Sequence, residues 1–220
     1  MEKFLPVICS SRLFKGISPY KTLELLQVLD AKQVSFKKDE YIFHAGDSTS
    51  SLGLILSGSI LVIREDFWGN RNIINSLGLS QCFAETFACA RNSMMEVSVT
   101  AASDCQILFL NVQNILTDSS SGCEDMNLLI KNLLSDLAQK NIAFTEKLSH
   151  LGQRTTRAKL ISYLSAESRK HHSVSFDIPF TRQQLADYLF VDRSGLSSEL
   201  GKMQKEGLID FHKNHFILKS

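Results

Sequence analysis

From about Ala31 to Asn111 the chain runs as short apolar or alternating segments broken by turn residues, a pattern of period two that predicts β-strands. QVSF, the charged KKDE and YIFHAGD give two strands and a turn at Gly46-Asp47. LGLILSGSILVIRED sets Gly58 between two apolar strands, FWGNR is a turn around Gly69-Asn70, NIINSL resumes a strand, and EVSVTA and CQILFL complete the set. Strands this short, at roughly ten-residue spacing, fold as a sandwich or barrel, here with Ser18 to Leu29 as a short helical lead-in.

Between about Glu124 and Leu151 the period changes. Ile130, Leu137, Phe144 and Leu151 recur every seven residues, and Leu134, Asn141 and Leu148 occupy the second seam position. That heptad predicts a coiled coil between two copies of the chain, with Asn141 holding the register because facing amides pair only when the helices are aligned. The competing reading is a helix packed on its own domain with Asn141 bonded locally. Gly152 interrupts the pattern, and Thr155 or Thr156 can cap the next helix, RAKLISYLSAESRK, so the domain boundary is expected near Gly152. A glycine there serves either as a hinge or as an ordinary helix end.

The segment from Thr181 to Ile209 reads as two short helices around a tight turn. Thr181 is a natural N-cap, and Leu185 and Leu189 share one face, with Ala186 small enough for a second helix to cross closely. Asp192 is a second N-cap. Leu196, Leu200 and Met203 form the inner stripe of a helix whose other face carries Arg193, Ser194, Gly195, Ser197, Ser198 and Lys202. Short polar side chains beside Arg193 suit close approach to the major groove, so this is a candidate DNA-reading helix-turn-helix, to which Thr181, Arg182 and Gln183 add contacts. Gly207 ends the second helix; LIDF, a turn from His212 to Asn214 and HFIL then form a wing with His212, Lys213 and His215 at its tip. The plainer alternative is a two-helix surface unit whose polar face meets water.

At 220 residues the chain is long enough for two modest domains. Its net charge of +1 conceals an asymmetry: cut after Ser149, it carries 13 basic against 16 acidic side chains before the cut and 11 against 7 after it. Positive charge is thus concentrated where the helix-turn-helix sits. No apolar run approaches the roughly 20 residues of a membrane span, and the start lacks a basic region followed by a long hydrophobic segment, so the protein is expected in the cytoplasm, away from membranes. Cys9, Cys82, Cys89, Cys105 and Cys123 are irregularly spaced without a CxxC pair, which predicts reduced thiols rather than disulfides or a zinc finger. GxSxG, HExxH and phosphate-cradling glycine loops are absent from the sequence, so an enzyme is not expected.

The strings TRQQLADYL, VDRSGLSSELGKMQKEGLI, HAGD, LILSGSILVI and CFAETFA, in the order β-roll, long helix and winged helix, resemble the CRP/FNR superfamily, bacterial regulators related to the cyclic-AMP receptor protein. The similarity covers almost the whole chain. It implies an α+β fold: a double-stranded β-helix like the cyclic-nucleotide-binding jelly roll over 1–123, a dimerisation helix over 124–151 and a winged helix-turn-helix over 152–220. It also implies a homodimer that binds a two-fold symmetric site on double-stranded DNA and alters transcription, with RNA polymerase as a partner, when a signal reaches the roll. The family's base-contacting positions match Arg193, Ser194, Ser197 and Ser198, with Arg193 the candidate for a bidentate contact to guanine. The expected coupling runs from the roll near Glu85 through the dimer helix and past Gly152. The alternative is a nucleotide- or ligand-binding module that acts through protein contacts.

Departures from the family narrow the signal. Members that bind cyclic nucleotides follow a Gly-Glu turn with an Arg-Ser pair that holds the phosphate; here the turn is Ala84-Glu85 and the pair is Met95 and Glu96. A carboxylate facing phosphate repels it, so cyclic AMP is not expected, with Arg91 the one nearby substitute. An N-terminal iron-sulfur cluster has only Cys9 to draw on, and a haem only His44. The effector therefore stays open between two readings. One is a thiol or soft-metal site drawn from Cys82, Cys89, Cys105 and Cys123, although no metal site as such is predicted. The other is a small organic molecule in a pocket of Phe83, Glu85, Thr86, Phe87, Met94, Met95 and Glu96, closed by Phe144 and Thr145. Plain apolar core explains the same stripes.

Overall fold

The computed structural model describes residues 2–65, 71–90, 93–117 and 124–219. The expected turn at Gly69-Asn70, together with Arg91 and Cys123, lies outside them. The chain divides into two compact units, Met1–Gln139 and Lys140–Ser220.

The first unit begins with helices α1 (Leu5–Ser10) and α2 (Pro19–Val28), the latter capped by Ser18. There follow β1 (Lys32–Phe36), β2 (Tyr41–Phe43), β3 (Ser51–Ser57), β4 (Ile60–Glu65), β5 (Arg71–Leu77) and β6 (Cys82–Phe83). Short helix α3 (Glu85–Cys89), strands β7 (Ser98–Ala101) and β8 (Cys105–Asn111) and helix α4 (Val112–Thr117) complete the roll. The strands form two antiparallel four-stranded sheets, in the orders β1-β8-β3-β6 and β2-β7-β4-β5. The sequence pattern predicts these strands except the two-residue β6 and does not predict α1, α3 or α4; it also begins β7 too early, since Glu96 and Val97 precede it.

Strand β3 shows why LGLILS is continuously apolar rather than alternating. Leu52, Leu54 and Leu56 join Leu108 and Leu110 of β8 in packing on α1 and α2, whereas Ile55 and Ile107 face the other way into a cluster with Phe83, Met95 and Val99. Both faces of this sheet are covered, so residues of both parities must be apolar. At the turn between β3 and β4, Gly58 has φ +76°, and a Cβ there would stand 2.4 Å from the Asp104 carbonyl oxygen, so only glycine fits.

Helix α5 (Glu124–Leu151) begins in the first unit and ends in the second. Met126, Leu129 and Leu133 are buried in the roll's helical layer, where Ile130 and Leu137 also pack. Asn132 Nδ2 donates to the carbonyls of Leu13 at 3.0 Å and Lys15 at 2.8 Å. Two heptad positions, Ile130 and Leu137, are therefore engaged by their own domain. Leu134, Phe144 and Leu148, by contrast, are 60%, 54% and 65% exposed.

The second unit adds α6 (Thr156–His171), β9 (Ser175–Asp177), α7 (Arg182–Leu189), α8 (Arg193–Lys205), β10 (Ile209–His212) and β11 (His215–Leu218), with a small sheet in the order β10-β11-β9. Leu160, Leu164, Leu185, Leu189, Leu196, Leu200, Met203 and Phe216 form its core. The end of α5 is tied into this unit. His150 Nδ1 lies 2.8 Å from Ser162 Oγ, and Glu146 pairs with Lys170 at 2.8 Å. Contacts thus bridge both sides of Gly152, whose amide continues the helical pattern to the Leu148 carbonyl at 2.9 Å. Of the two readings of Gly152, these contacts favour the ordinary helix end, inside the second unit.

Candidate nucleic-acid interface and roll interior

Helix α7 opens with a full capping box: the Gln184 amide donates to Thr181 Oγ1 at 3.3 Å, and the Thr181 amide donates to Gln184 Oε1 at 2.8 Å. Two of the orphan amides at this helix start are satisfied by that exchange, which fixes where α7 begins. Its buried face is Leu185, Ala186 and Leu189. The chain then turns at Phe190, which adopts left-handed backbone at φ 51°. Lys159 of α6 holds this turn by donating to the carbonyls of Leu189 at 2.9 Å and Phe190 at 3.4 Å, a cation at a helix C-terminus.

Asp192 caps α8 through the Gly195 amide at 2.9 Å and also accepts from the Ser194 hydroxyl. Those donors hold the Asp192 carboxyl below the usual carboxylate range, the Ser194 hydroxyl contributing most. Leu196, Leu200 and Met203 point inward. Arg193, Gly195, Ser197, Ser198 and Lys202 are exposed together on the opposite face. Ser194 is exposed too, but its proton is committed to the cap. Arg157 of α6 clamps the far end of α8, with Glu206 on both guanidinium nitrogens and Glu199 at 3.5 Å. Lys202 leans on Glu199 at 3.5 Å.

The remaining expected contacts divide. Thr181 is a cap, and Gln183 Nε2 donates to Asp187 Oδ1 at 2.8 Å. Lys213 is exposed at the wing tip, in left-handed backbone at φ 55°. His215 is occupied: Nδ1 lies 3.1 Å from Asp177 Oδ1 and Nε2 lies 3.1 Å from Ser175 Oγ. Arg182 lies across the wing's aromatic rings rather than standing free.

In the roll, Phe83, Glu85 and Met95 are buried, Phe87 is half-buried, and Thr86 and Glu96 are exposed. Met94, expected to line a pocket, is 69% exposed. Phe144 and Thr145 belong to the second unit, and Thr145 Oγ1 donates to the Asn141 carbonyl at 3.0 Å. The interior holds an edge-to-face aromatic group: Phe109 lies 6.4, 5.8 and 6.5 Å from Phe36, Phe43 and Phe83, ring centre to ring centre. Cys82 and Cys89 lie on the helical side of the roll and Cys105 on the interior side. Burial pushes the Cys89 and Cys105 thiols up, and nearby carboxylates, Glu85 for Cys89 and Asp104 for Cys105, push the same way. That is the reverse of an activated thiolate. Among the described residues no three His, Cys, Asp or Glu side chains group as a metal site.

Sequence reading missed the residues that hold these elements in place: Arg157, Lys159, Lys147 and His150. Only their contacts single them out, because as isolated charges on helices they look like solvated positions.

Two family models match the chain: a cyclic nucleotide-binding domain over residues 33–117 and a Crp-like helix-turn-helix domain over residues 158–220. The chain belongs to the CRP/FNR family of transcriptional regulators. The cAMP-activated global transcriptional regulator CRP of Haemophilus influenzae is 21% identical over 182 residues, covering 80% of this chain and 79% of that protein. Among solved structures, the c-di-GMP-responsive global regulator CLP of Xanthomonas campestris superposes with a TM-score of 0.61 at 18% identity, covering 91% of this chain and 99% of that one. FixK2 of Bradyrhizobium japonicum gives 0.55 at 16%, with 86% and 93% covered. These likenesses carry the fold: an α+β chain with a cyclic-nucleotide-binding β domain, a long helix and a winged helix-turn-helix. As a CRP/FNR member the chain is a DNA-binding regulator and not an enzyme, and among its described residues no helix is long and apolar enough to cross a membrane.

The family model implies a cyclic nucleotide, and the residues present do not fit one. By the family resemblance, Met95 and Glu96 are the positions to compare with the Arg-Ser pair of nucleotide-binding members. Met95 is fixed by backbone bonds to the Gly46-Asp47 turn, donating to the Asp47 carbonyl at 2.8 Å and accepting from the Gly46 amide at 2.7 Å, with its side chain 2% exposed in the interior. A cyclic phosphate beside Met95 would meet a thioether in place of a guanidinium, a poor partner for its charge, while Arg91 lies outside the described residues.

Proposed function

We propose that this regulator acts in the cytoplasm as a homodimer that binds a two-fold symmetric DNA site and engages RNA polymerase there. The observation that carries the reading is the division of α8, with Leu196, Leu200 and Met203 buried and Arg193, Ser197, Ser198 and Lys202 exposed on one face. A capped helix with that face suits the major groove, Arg193 reading guanine and the serines allowing close approach. The exposed Leu134, Phe144 and Leu148 beside Asn141 support pairing through α5, since isolated apolar side chains are ordinary at a surface whereas a periodic stripe is not. Pairing would set two recognition helices about 34 Å apart, one turn of the duplex. The aromatic interior of the roll, without a cation at the Met95-Glu96 position, supports an apolar effector over a nucleotide, and the raised thiols weigh against a cysteine switch.

Selection of bound duplexes from a random pool by the purified chain tests this, followed by mobility shift with parent protein and Arg193→Ala. The expected outcome is a palindromic consensus and a loss of about 1–3 kcal/mol per half-site for the variant. Enrichment of no double-stranded sequence at low ionic strength would favour a module that acts through protein contacts.

A further inference from the structure

Arg182 opens α7 on a surface where a basic side chain would ordinarily be assigned to phosphate, and its guanidinium is engaged elsewhere. Its central carbon lies 4.9 Å from the Phe211 ring centre and 5.7 Å from that of Phe216, and Nη2 donates to the Lys213 carbonyl at 3.1 Å. Phe211 and Phe216 are themselves stacked at 5.7 Å across the β10–β11 hairpin. The planar guanidinium therefore covers the wing's aromatic pair and grips the backbone at its tip, a geometry an ammonium cannot reproduce. Half-burial also lowers the Arg182 pKa from its usual value, in keeping with a side chain withdrawn from water.

The other side of the tip is tethered independently. The Asn214 carbonyl accepts from the Ile178 amide at 2.9 Å, and Asn214 Nδ2 donates to the Ile178 carbonyl at 3.2 Å. Lys213, between these two anchors, sits at the β10–β11 turn in left-handed backbone, which side chains other than glycine resist. The two anchors fix where this exposed lysine stands.

We propose that Arg182 is a positioning residue: it fixes the wing so that Lys213 is presented to the DNA backbone, and does not itself contact phosphate. This rests on the DNA-binding reading of the second unit. The measurement is operator affinity of the full chain by mobility shift across a salt series, for Arg182→Ala, Arg182→Lys, Lys213→Ala and the Arg182→Ala/Lys213→Ala double variant, with Arg193→Ala as reference. Each single variant at the wing should weaken binding by roughly 3- to 10-fold and flatten the salt dependence. The double variant should bind no more weakly than Lys213→Ala alone, and Arg182→Lys should fail to rescue.

Full multiplication of the two losses, with a further flattening of the salt slope in the double variant, would mean that Arg182 neutralises a phosphate itself and would overturn the proposal. Parent-like binding by Arg182→Ala or by Lys213→Ala would overturn it as well, while leaving the recognition helix intact if Arg193→Ala still loses affinity. Failure of every protein, parent included, to bind duplex DNA would instead sink the underlying DNA reading. Arg182→Met, which keeps apolar cover on the rings, replaces the alanine variant if thermal denaturation shows the latter unfolded.

Discussion

The ammonium of Lys147, one turn before the end of α5, lies 5.6 Å from the ring centre of Phe190, the left-handed residue between α7 and α8, and 4.9 Å from that of Tyr188. The helix that leads into the second unit therefore touches the turn that sets the angle of the recognition helix. Together with Lys159 on the Leu189 and Phe190 carbonyls, it offsets the cost of left-handed backbone in a bulky residue. Lys147→Met should lower stability by about 0.5–2 kcal/mol in urea denaturation. The same substitution should cost less in a Phe190→Gly background, where ring and strain are both gone. Equal losses in the two backgrounds would show that Lys147 does not act through Phe190.

His150 is buried, and burial is the main cause that lowers its pKa, with Glu146 and Glu167 opposing and Lys170 and Arg169 assisting. The unfolded imidazole takes up its proton near the ordinary value of 6.5, the folded one only at lower pH. Between those points the unfolded state binds more protons, so this group's contribution to stability rises with pH. Full stability is expected above the unfolded pKa, with a progressive loss as pH falls below it. His150→Phe should flatten that part of the stability profile in chemical denaturation, whereas an unchanged profile would assign the dependence to other histidines.

The stripe on α5 predicts association. Leu148→Glu places a charge on the exposed seam and should yield a monomer by light scattering, with the second unit still folded by circular dichroism. Asn141→Leu should keep or strengthen association while loosening register, detectable as mixed disulfide cross-linking patterns between engineered cysteines. A dimer unaffected by Leu148→Glu would place the interface elsewhere.

Gly53 of β3 lies under the Phe83 ring, where an added Cβ would stand 2.3 Å from a ring carbon. Gly53→Ala must push that ring into the aromatic group, and a loss of roughly 1–3 kcal/mol is expected from overpacking. Calorimetric titration of the parent with cyclic AMP should give no saturable heat if Met95 and Glu96 occupy the phosphate position that the family resemblance assigns them. Tight binding would show that a cation reaches the site from elsewhere in the chain.

Much of this organisation was legible in the sequence because it rests on local rules. The N-caps Thr181 and Asp192, the stripe Leu196, Leu200 and Met203 and the glycine at 58 each follow from spacing and residue type, and each occupies the expected place. What stayed hidden depends on contacts between segments distant in sequence. The heptad does not reveal that Ile130 and Leu137 pack on the roll, because an apolar side chain at seven-residue spacing suits either partner. Arg182 reads as a DNA contact, and nothing in the sequence shows that Phe211 and Phe216, some thirty positions away, lie against its guanidinium. At Gly152 the sequence leaves joint and helix end open, and only the bonds of His150 to Ser162 and Glu146 to Lys170 show the preceding helix tied to the second unit.

The four phenylalanines inside the roll bear on how a signal could be received at all. Were a small molecule to lodge among these rings, it would have to shift at least one of them, and how well its outline replaced the lost ring contacts would weigh in its affinity. Selectivity would then follow ligand outline, and the message leaving the roll would be the new resting place of the displaced ring.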